Sequence, residues 1–510
     1  MPHLDDGSRA AAGRATAWSR AFLGLAGTAG ILGLACVVLG LRNGTHLNHV
    51  AAAWTTMAAD LAQGLFYRPL YAPDIGYGGT RFFPLFFSLQ ALGIRAGLAP
   101  VVAGHVVALL SGAFLLGGAY ATLRRLAVAR PVAAGMTALL LASVVVQHGL
   151  ATTRGDVLPL ALVLWAFAVC LGAPGGRRRL AACALLFSLA FAAKPTALGG
   201  ALALGLWLLA QGRRRDAALF AGLVTAGCGL VVGVTEAASG GRFLAILQAC
   251  ASGGASVRSA LAAPRLLSGM FLWKDPWGFC LVAAACVACL ARLRSSALTL
   301  PGLYLAASLG AAVVVFGSPG VTWNHLADPV AAAVLFLGAA AGASSPAPRR
   351  MPLAPRRMLP TGLLLLAAGA ALPGIATLRQ EAAAAGAGAA QERQAVIAAL
   401  PAGPGAILAE DPLVPLLAGE RPYVLDPFML RLVAGRDAGF AAPLVERIAD
   451  RSFRAVVFLN DPRTHGPWYE TVHFGPQVMR AIEANYEPAG QAGRYVVYAP
   501  RRDLSAPGRR

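Results

Sequence analysis

Long apolar runs separated by short arginine-rich breaks fill the first three-quarters of the chain. The runs lie at about 20–41, 99–121, 131–148, 157–173, 180–193, 196–211, 217–236, 277–292, 297–316, 325–343 and 359–377. Their length and apolarity predict about eleven transmembrane helices over residues 1–377. The 180–211 stretch has arginine triplets at both ends, so it must cross and return, or form a re-entrant pair. Lys194-Pro195 marks its turn, since proline breaks a helix and lysine is costly at depth. Between the first two runs, residues 42–98 make a long loop. Its 49–64 stretch predicts a helix along the membrane surface. His49, Thr56, Asp60 and Gln63 share one face, Val50, Trp54, Met57 and Leu61 another, and Gly64 ends it. Leu85–Ile94 is apolar but too short to span.

Beyond residue 377 the periodicity changes. An Ala/Gly-rich helical linker at 378–400 leads into β-like runs at Ala406–Ala409, Tyr423–Leu425, Ala455–Leu459 and Tyr495–Ala499. Helical stretches at 441–452 and 476–485 lie between them, so 401–510 reads as a small α/β domain. The predicted fold class is an all-α polytopic membrane bundle with a small C-terminal extracytoplasmic α/β domain.

Composition agrees and adds orientation. Hydrophobic residues make up 57% and charged residues 13%, and mean hydropathy is +0.62, which excludes an ordinary soluble enzyme. The net charge of +20 does not signal nucleic acid. Residues 378–510 hold 15 Arg against 14 acids, so the excess sits in the bundle, where basic loops face an anionic leaflet. Clusters at Arg124/Arg125/Arg130, Arg177–Arg179, Arg213–Arg215, Arg292/Arg294 and Arg349/Arg350/Arg356/Arg357 fall between alternate runs and mark the cytoplasmic side, which puts residues 378–510 outside. The first 377 residues carry nine acids. Asp60, Asp74, Asp156, Glu236, Asp275 and Asp328 fall on the outer side, with the chain's only two lysines, Lys194 and Lys274. Ionisable groups gathered at one membrane boundary point to a polar site there. Seven of the eight cysteines lie in or at the ends of the runs, and the C-terminal domain has none, so neither a disulfide framework nor a thiolate metal site is implied. The first run is long for a cleavable signal and reads as an uncleaved span.

Four outer-side patterns carry the candidate chemistry. The first runs from Asn48-His49 through Asp60 to Phe66-Tyr67-Arg68-Pro69-Leu70-Tyr71 and Gly76-Tyr77-Gly78-Gly79-Thr80-Arg81-Phe82-Phe83-Pro84-Leu85. The others are Thr153-Arg154-Gly155-Asp156, Ala193-Lys194-Pro195-Thr196-Ala197 and Asn324-His325-Leu326-Ala327-Asp328. In order and topology these resemble the GT-C superfamily of polytopic glycosyltransferases, nearest its bacterial family-39 or protein-mannosyltransferase-like branch. The resemblance covers most of residues 20–500 and rests on no single motif. It implies a bacterial plasma-membrane enzyme that takes a sugar from a polyprenyl-phosphate donor and passes it to a glycan, lipid or protein acceptor on the outer face. One departure stands out: where the family has an acid at the start of the loop helix, this chain has Asn48 followed by His49.

Such a transfer needs a base for the acceptor hydroxyl and cations or a metal for the departing phosphate. Asp60, Asp74 and Asp156 are the candidate catalytic carboxylates, with Asp60 first for its place on the polar helix face. Arg68, Arg81, Arg154, Lys194 and Lys274 are the candidate phosphate-binding cations, with His49, Tyr67, Asn324, His325 and Asp328 as further substrate contacts. His49, His325 and an acid could together hold a divalent metal, although no spacing demands one. Ordinary readings compete. Asp60 fits a solvated helix face, Asp156 an N-cap paired with Arg154, Lys194 a snorkelling side chain, and Asn324/Asp328 a helix cap. Trp273, Trp277 and Phe271 fit interface anchors, and Glu410-Asp411 a surface turn. The competing function classes are a transporter or flippase-like permease and a non-catalytic scaffold. The first is disfavoured because no ionisable residue sits in the middle of a long run.

Overall fold

The computed structural model describes residues 6–172, 176–251, 257–293, 298–318, 320–342, 353–384 and 388–502. Five of its helices are long and apolar enough to cross a membrane: Thr16–Asn43, Pro100–Arg125, Arg214–Ala238, Trp323–Gly342 and Leu359–Ala383. A sixth span results if Arg130–Leu140 and Val144–Ala151, bent by 68° at their break, count as one. Shorter apolar helices occupy Val157–Cys170, Pro195–Ala210, Pro276–Arg292 and Leu300–Phe316. Each apolar run of the sequence thus falls on a helix or bent pair, with Gly176–Ala193 supplying the remaining one. The stretch 237–276 holds two further helices, Arg242–Ala251 and Val257–Lys274, that the sequence pattern did not mark.

Val157–Cys170 is apolar on every side and almost wholly buried, which makes it the axis of the bundle. Pro100–Arg125 lies against it, tied by Thr122 Oγ1 donating to Leu164 O at 2.8 Å and Trp165 Nε1 donating to Phe114 O at 2.8 Å. The bend at residues 141–143 has a specific cause. Ser143 starts the Val144–Ala151 helix and donates to Asp275 Oδ2 at 2.5 Å, while Asp275 Oδ1 accepts from Gly278 N at 2.9 Å at the start of Pro276–Leu293. One buried carboxylate therefore holds two helix N-termini together.

The loop helix forms at His49–Ala62, with Asn48 Oδ1 accepting from Ala51 N at 3.0 Å as its cap. It does not lie on a surface as the sequence suggested. Residues Ala51 to Asp60 are all buried, because the C-terminal domain covers the helix. Leu413 packs on Leu47, Ala51 and Ala52, and Trp54 stacks on Phe82 at 4.5 Å. The rest of the loop makes a small hairpin, β1 (Tyr71–Ala72) and β2 (Gly76–Tyr77).

The C-terminal domain has a four-stranded sheet of β3 (Ala406–Ala409), β4 (Phe453–Phe458), β5 (Tyr486–Ala492) and β6 (Tyr495–Pro500), in the order β3-β4-β6-β5. The β3–β4 pair is parallel and the others antiparallel. Tyr423–Leu425, expected as a strand of this sheet, pairs instead with the loop hairpin. Tyr77 N donates to Tyr423 O at 2.7 Å and Leu425 N to Tyr77 O at 3.0 Å. Gly76, at φ +90°, makes this possible: a Cβ there would lie 2.0 Å from Tyr423 O. Glu410 and Asp411 are not a surface turn either. Both are buried where β3 ends. Asp411 Oδ2 accepts from Arg393 Nε at 3.0 Å and Tyr495 OH at 2.7 Å, and Arg393 in turn donates to Leu47 O at the loop's start. An arginine reaching both surfaces fixes the domain to the bundle.

Candidate functional site

The turn Thr152–Asp156 joins Val144–Ala151 to the central helix, and the loop helix presses directly on it. Thr55 and Thr153 hydroxyls meet at 2.8 Å, and Thr153 Oγ1 also donates to Ala51 O at 3.1 Å. Gly155 must be small, since a Cβ would lie 2.9 Å from Phe86 and 3.1 Å from Trp54. This packing leaves Arg154 and Asp156 buried side by side, 7% and 9% exposed.

Asp156 is the hub. Its Oδ1 accepts from Lys194 Nζ at 2.8 Å and Asn324 Nδ2 at 2.7 Å. Its Oδ2 lies 3.1 Å from Arg154 Nε, yet the two are not aligned as donor and acceptor, so both atoms are buried without a hydrogen bond. Burial opposes ionisation here, but the Arg154 and Lys194 charges outweigh it and hold the carboxyl well below the usual range. Asn324 is oriented by Thr322 Oγ1, which donates to Asn324 Oδ1 at 2.6 Å. His325, the next residue, lies within electrostatic reach of Lys194, Asp156, Arg154 and Arg81. An open groove of about 300 Å³ runs from there along small residues, lined by Thr196, Gly199, Gly200, Ser308, His325 and Asp328. Asp328 Oδ1 accepts from Tyr304 OH at 3.1 Å at its edge.

Arg81 comes from the loop. It is partly buried, which lowers its pKa, with the Asp426 carboxylate and Cys250 thiol opposing. Among the described residues its guanidinium makes no hydrogen bond. Lys274 stands at the margin, its ammonium 3.7 Å from the Trp273 ring centre and 5.9 Å from that of Trp323.

The other loop candidates lie elsewhere. Asp60 is buried against Arg68, whose Nε and Nη2 donate to its two carboxylate oxygens at 2.5 and 3.1 Å, and Arg421 of the C-terminal domain adds an ion pair at 3.3 Å. Asp60, Tyr67, Arg68, Thr80 and Leu425 line a separate cleft of about 250 Å³. Asp156 does not line that cleft. Tyr67 is buried and donates to Phe82 O at 2.8 Å, while Asp74 is exposed in the β1–β2 turn. His49 does not pair with Asp60. Its ring sits edge-on to His473 at 4.6 Å, and burial, helped by His473, pushes its pKa down to about 4. Among the described residues no group of three or more His, Cys, Asp or Glu side chains is placed to hold a metal, so His49 and His325 do not share a metal site.

Several residues at the site carried no sequence signal. Glu410 holds His473 at 2.9 Å, Asp426 faces Arg81 and His49, and His46 faces His148 with 3.0 Å between their Nδ1 atoms. Only the scarcity of histidine, eight in the chain, could have drawn attention to the last pair.

No protein-family model and no curated protein sequence matches the chain. Solved structures do match. ArnT from Cupriavidus metallidurans bound to undecaprenyl phosphate is similar over 94% of this chain and 99% of its own, at 14% identity and a TM-score of 0.58. The oligosaccharyltransferase AglB from Archaeoglobus fulgidus, in complex with an inhibitory peptide and a dolichol-phosphate, is similar over 93% of this chain and 74% of its own, at 12% identity and a TM-score of 0.52. An Archaeoglobus fulgidus oligosaccharyltransferase in the apo form gives a TM-score of 0.56 at 12% identity, over 95% of this chain and 75% of its own. The chain thus has the GT-C fold, a polytopic helical bundle with a small C-terminal sheet domain.

Proposed function

We propose that the chain is a membrane glycosyltransferase that moves a sugar from a polyprenyl-phosphate donor to an acceptor on the extracytoplasmic side. The observation that carries this reading is the meeting of Arg154 and Lys194 around one carboxylate at one end of an apolar bundle, with Arg81 within electrostatic reach of the adjoining His325 and buried polar atoms of Arg154 and Asp156 left unbonded. A buried guanidinium nitrogen without a hydrogen-bond acceptor is costly unless a ligand supplies one. A phosphate on an isoprenoid tail suits that place, since its head meets cations while its tail stays in hydrocarbon. ArnT and AglB, which share the fold, were solved with undecaprenyl phosphate and dolichol-phosphate.

In this reading the acceptor oxygen attacks the anomeric carbon as the bond from that carbon to the phosphate oxygen breaks. Arg81, Arg154 and Lys194 take up the charge left on the phosphate. Of the three candidate carboxylates, Asp156 fits contact with substrate best. Its Oδ2 is free to orient the acceptor hydroxyl, while Asp60 has both oxygens bound by arginine and Asp74 is exposed. Because two cations depress it, Asp156 is a weak base and acts by orientation. By the positive-inside rule, the arginine distribution supports an extracytoplasmic position for this end of the bundle and for residues 378–510.

Reconstitution tests it. Proteoliposomes supplied with labelled polyprenyl-phosphate sugars and membrane extract as acceptor should release free polyprenyl phosphate and transfer the label, and an Arg154→Ala/Lys194→Ala variant should do neither. Label transfer by that variant at the wild-type rate would remove the proposed site.

A further inference from the structure

His46 and His148 bring their Nδ1 atoms to 3.0 Å. Two imidazole nitrogens at that distance need one proton between them, so one donates and the other accepts. Glu381 decides which. Its Oε1 lies 3.5 Å from His46 Nε2, and the carboxylate also accepts from Asn43 Nδ2 at 2.9 Å and Thr45 Oγ1 at 2.8 Å. An anion on that side favours a proton on His46 Nε2, leaving His46 Nδ1 as acceptor and His148 Nδ1 as donor. His148 Nε2 is then the unprotonated nitrogen. Burial pushes the pKa of His46 down, with Glu381 opposing, so the ring rests neutral as this tautomer requires.

The arrangement is built and not incidental. Thr152 Oγ1 donates to His46 O at 3.0 Å, and Gly40 leaves room for the ring, since a Cβ there would lie 2.6 Å from His46 Cδ2. His148 stands beside the cationic cluster. It is within electrostatic reach of Arg154, Asp156 and Lys274, and its ring centre is 4.4 Å from that of Trp323, next to Asn324. The carboxylate expected at the start of the loop helix is meanwhile missing: Asn48 occupies the position and its side chain caps the helix.

We propose that His148 is the general base of the transfer, with His46 and Glu381 as the residues that position it. The inference rests on the function proposed above. The acceptor hydroxyl gives its proton to His148 Nε2 as its oxygen bonds to the anomeric carbon, and the electron pair of the breaking bond stays on the phosphate. The imidazolium is stabilised through His46 by Glu381, and its proton passes to solvent as product leaves. The charged and titratable groups facing the pair are Glu381 from the last span, His105 from Pro100–Arg125, Arg154 and Asp156 from the adjoining turn, and Lys274. The activity should fall as pH drops through the pKa of the base.

The test is steady-state transfer by the reconstituted protein across pH, with undecaprenyl phosphate binding and thermal stability measured alongside. His148→Gln should lower kcat by about 10²-fold or more, abolish the acidic limb, and leave donor KM, lipid binding and melting temperature near wild type. Glu381→Gln should shift the acidic limb to lower pH. His46→Asn, whose Oδ1 can still accept from His148 Nδ1, should keep more activity than His46→Ala. Absence of transfer by the wild-type protein would overturn the parent reading and this one with it. Wild-type transfer alongside a His148→Gln variant of unchanged kcat and pH profile would overturn this one alone.

Discussion

Replacing Asp60 with asparagine separates two roles for that residue. Asp60 receives two hydrogen bonds from Arg68, whose Nη1 also donates to Pro422 O at 2.6 Å, so one guanidinium joins the loop helix to the C-terminal domain. The side chains are 6% and 1% exposed. Asparagine keeps the shape but offers one acceptor oxygen and no charge, leaving the Arg68 cation buried and unneutralised. Removing one partner of such a pair costs about 3–5 kcal/mol. Arg421, 38% exposed, adds little to that loss. As a clamp, Asp60→Asn should lower the melting temperature in detergent and expose the 401–425 segment to protease, while protein still folded at low temperature keeps turning over within a few-fold of wild type. The double variant Asp60→Leu/Arg68→Met should recover much of the stability, because a well-packed apolar pair can replace a buried ion pair. Asp60→Asn with wild-type stability and transfer lowered by about 10²-fold or more would refute this reasoning and make Asp60 the base that its place on the loop helix first suggested.

Topology is open to direct test: reporter fusions after residues 345 and 400 should report opposite compartments, and the same compartment for both would reject the eleven-helix threading. The His49 pKa, held near 4 against an ordinary 6.5, also sets a pH dependence. Because the unfolded chain binds the proton more readily, stability should be complete above about pH 6.5 and fall as pH drops towards 4. His49→Gln should flatten that slope in thermal melts taken at stepped pH, and an unchanged slope would show that His49 is not its source.

The bundle was legible because lipid leaves few choices: long apolar runs must be helices, and arginine sorts their ends. The Asp156 hub was legible for a related reason. In a stretch so poor in ionisable groups, Asp156, Lys194 and Asn324 had few other uses, and all three converge. What failed depended on contacts between distant segments. The polar face of the loop helix reads as solvated until Leu413 and Arg421 cover it, and Asp60 reads as free until Arg68 is seen to turn back on it. Glu410 and Asp411 look like a turn because their partners, His473, Tyr495 and Arg393, are 63, 84 and 18 residues away. Likewise, 102 residues separate His46 from His148, and helical periodicity links neither to the other.

The most direct measurement is the affinity of the purified protein for undecaprenyl phosphate, with undecaprenol, the same chain lacking phosphate, as the comparison. The account predicts that the phosphate form binds much more tightly, that added salt weakens it, and that Arg154→Ala costs about tenfold or more through loss of a charge-assisted contact. Equal binding of the two lipids, or an Arg154→Ala variant with undiminished affinity, would contradict it.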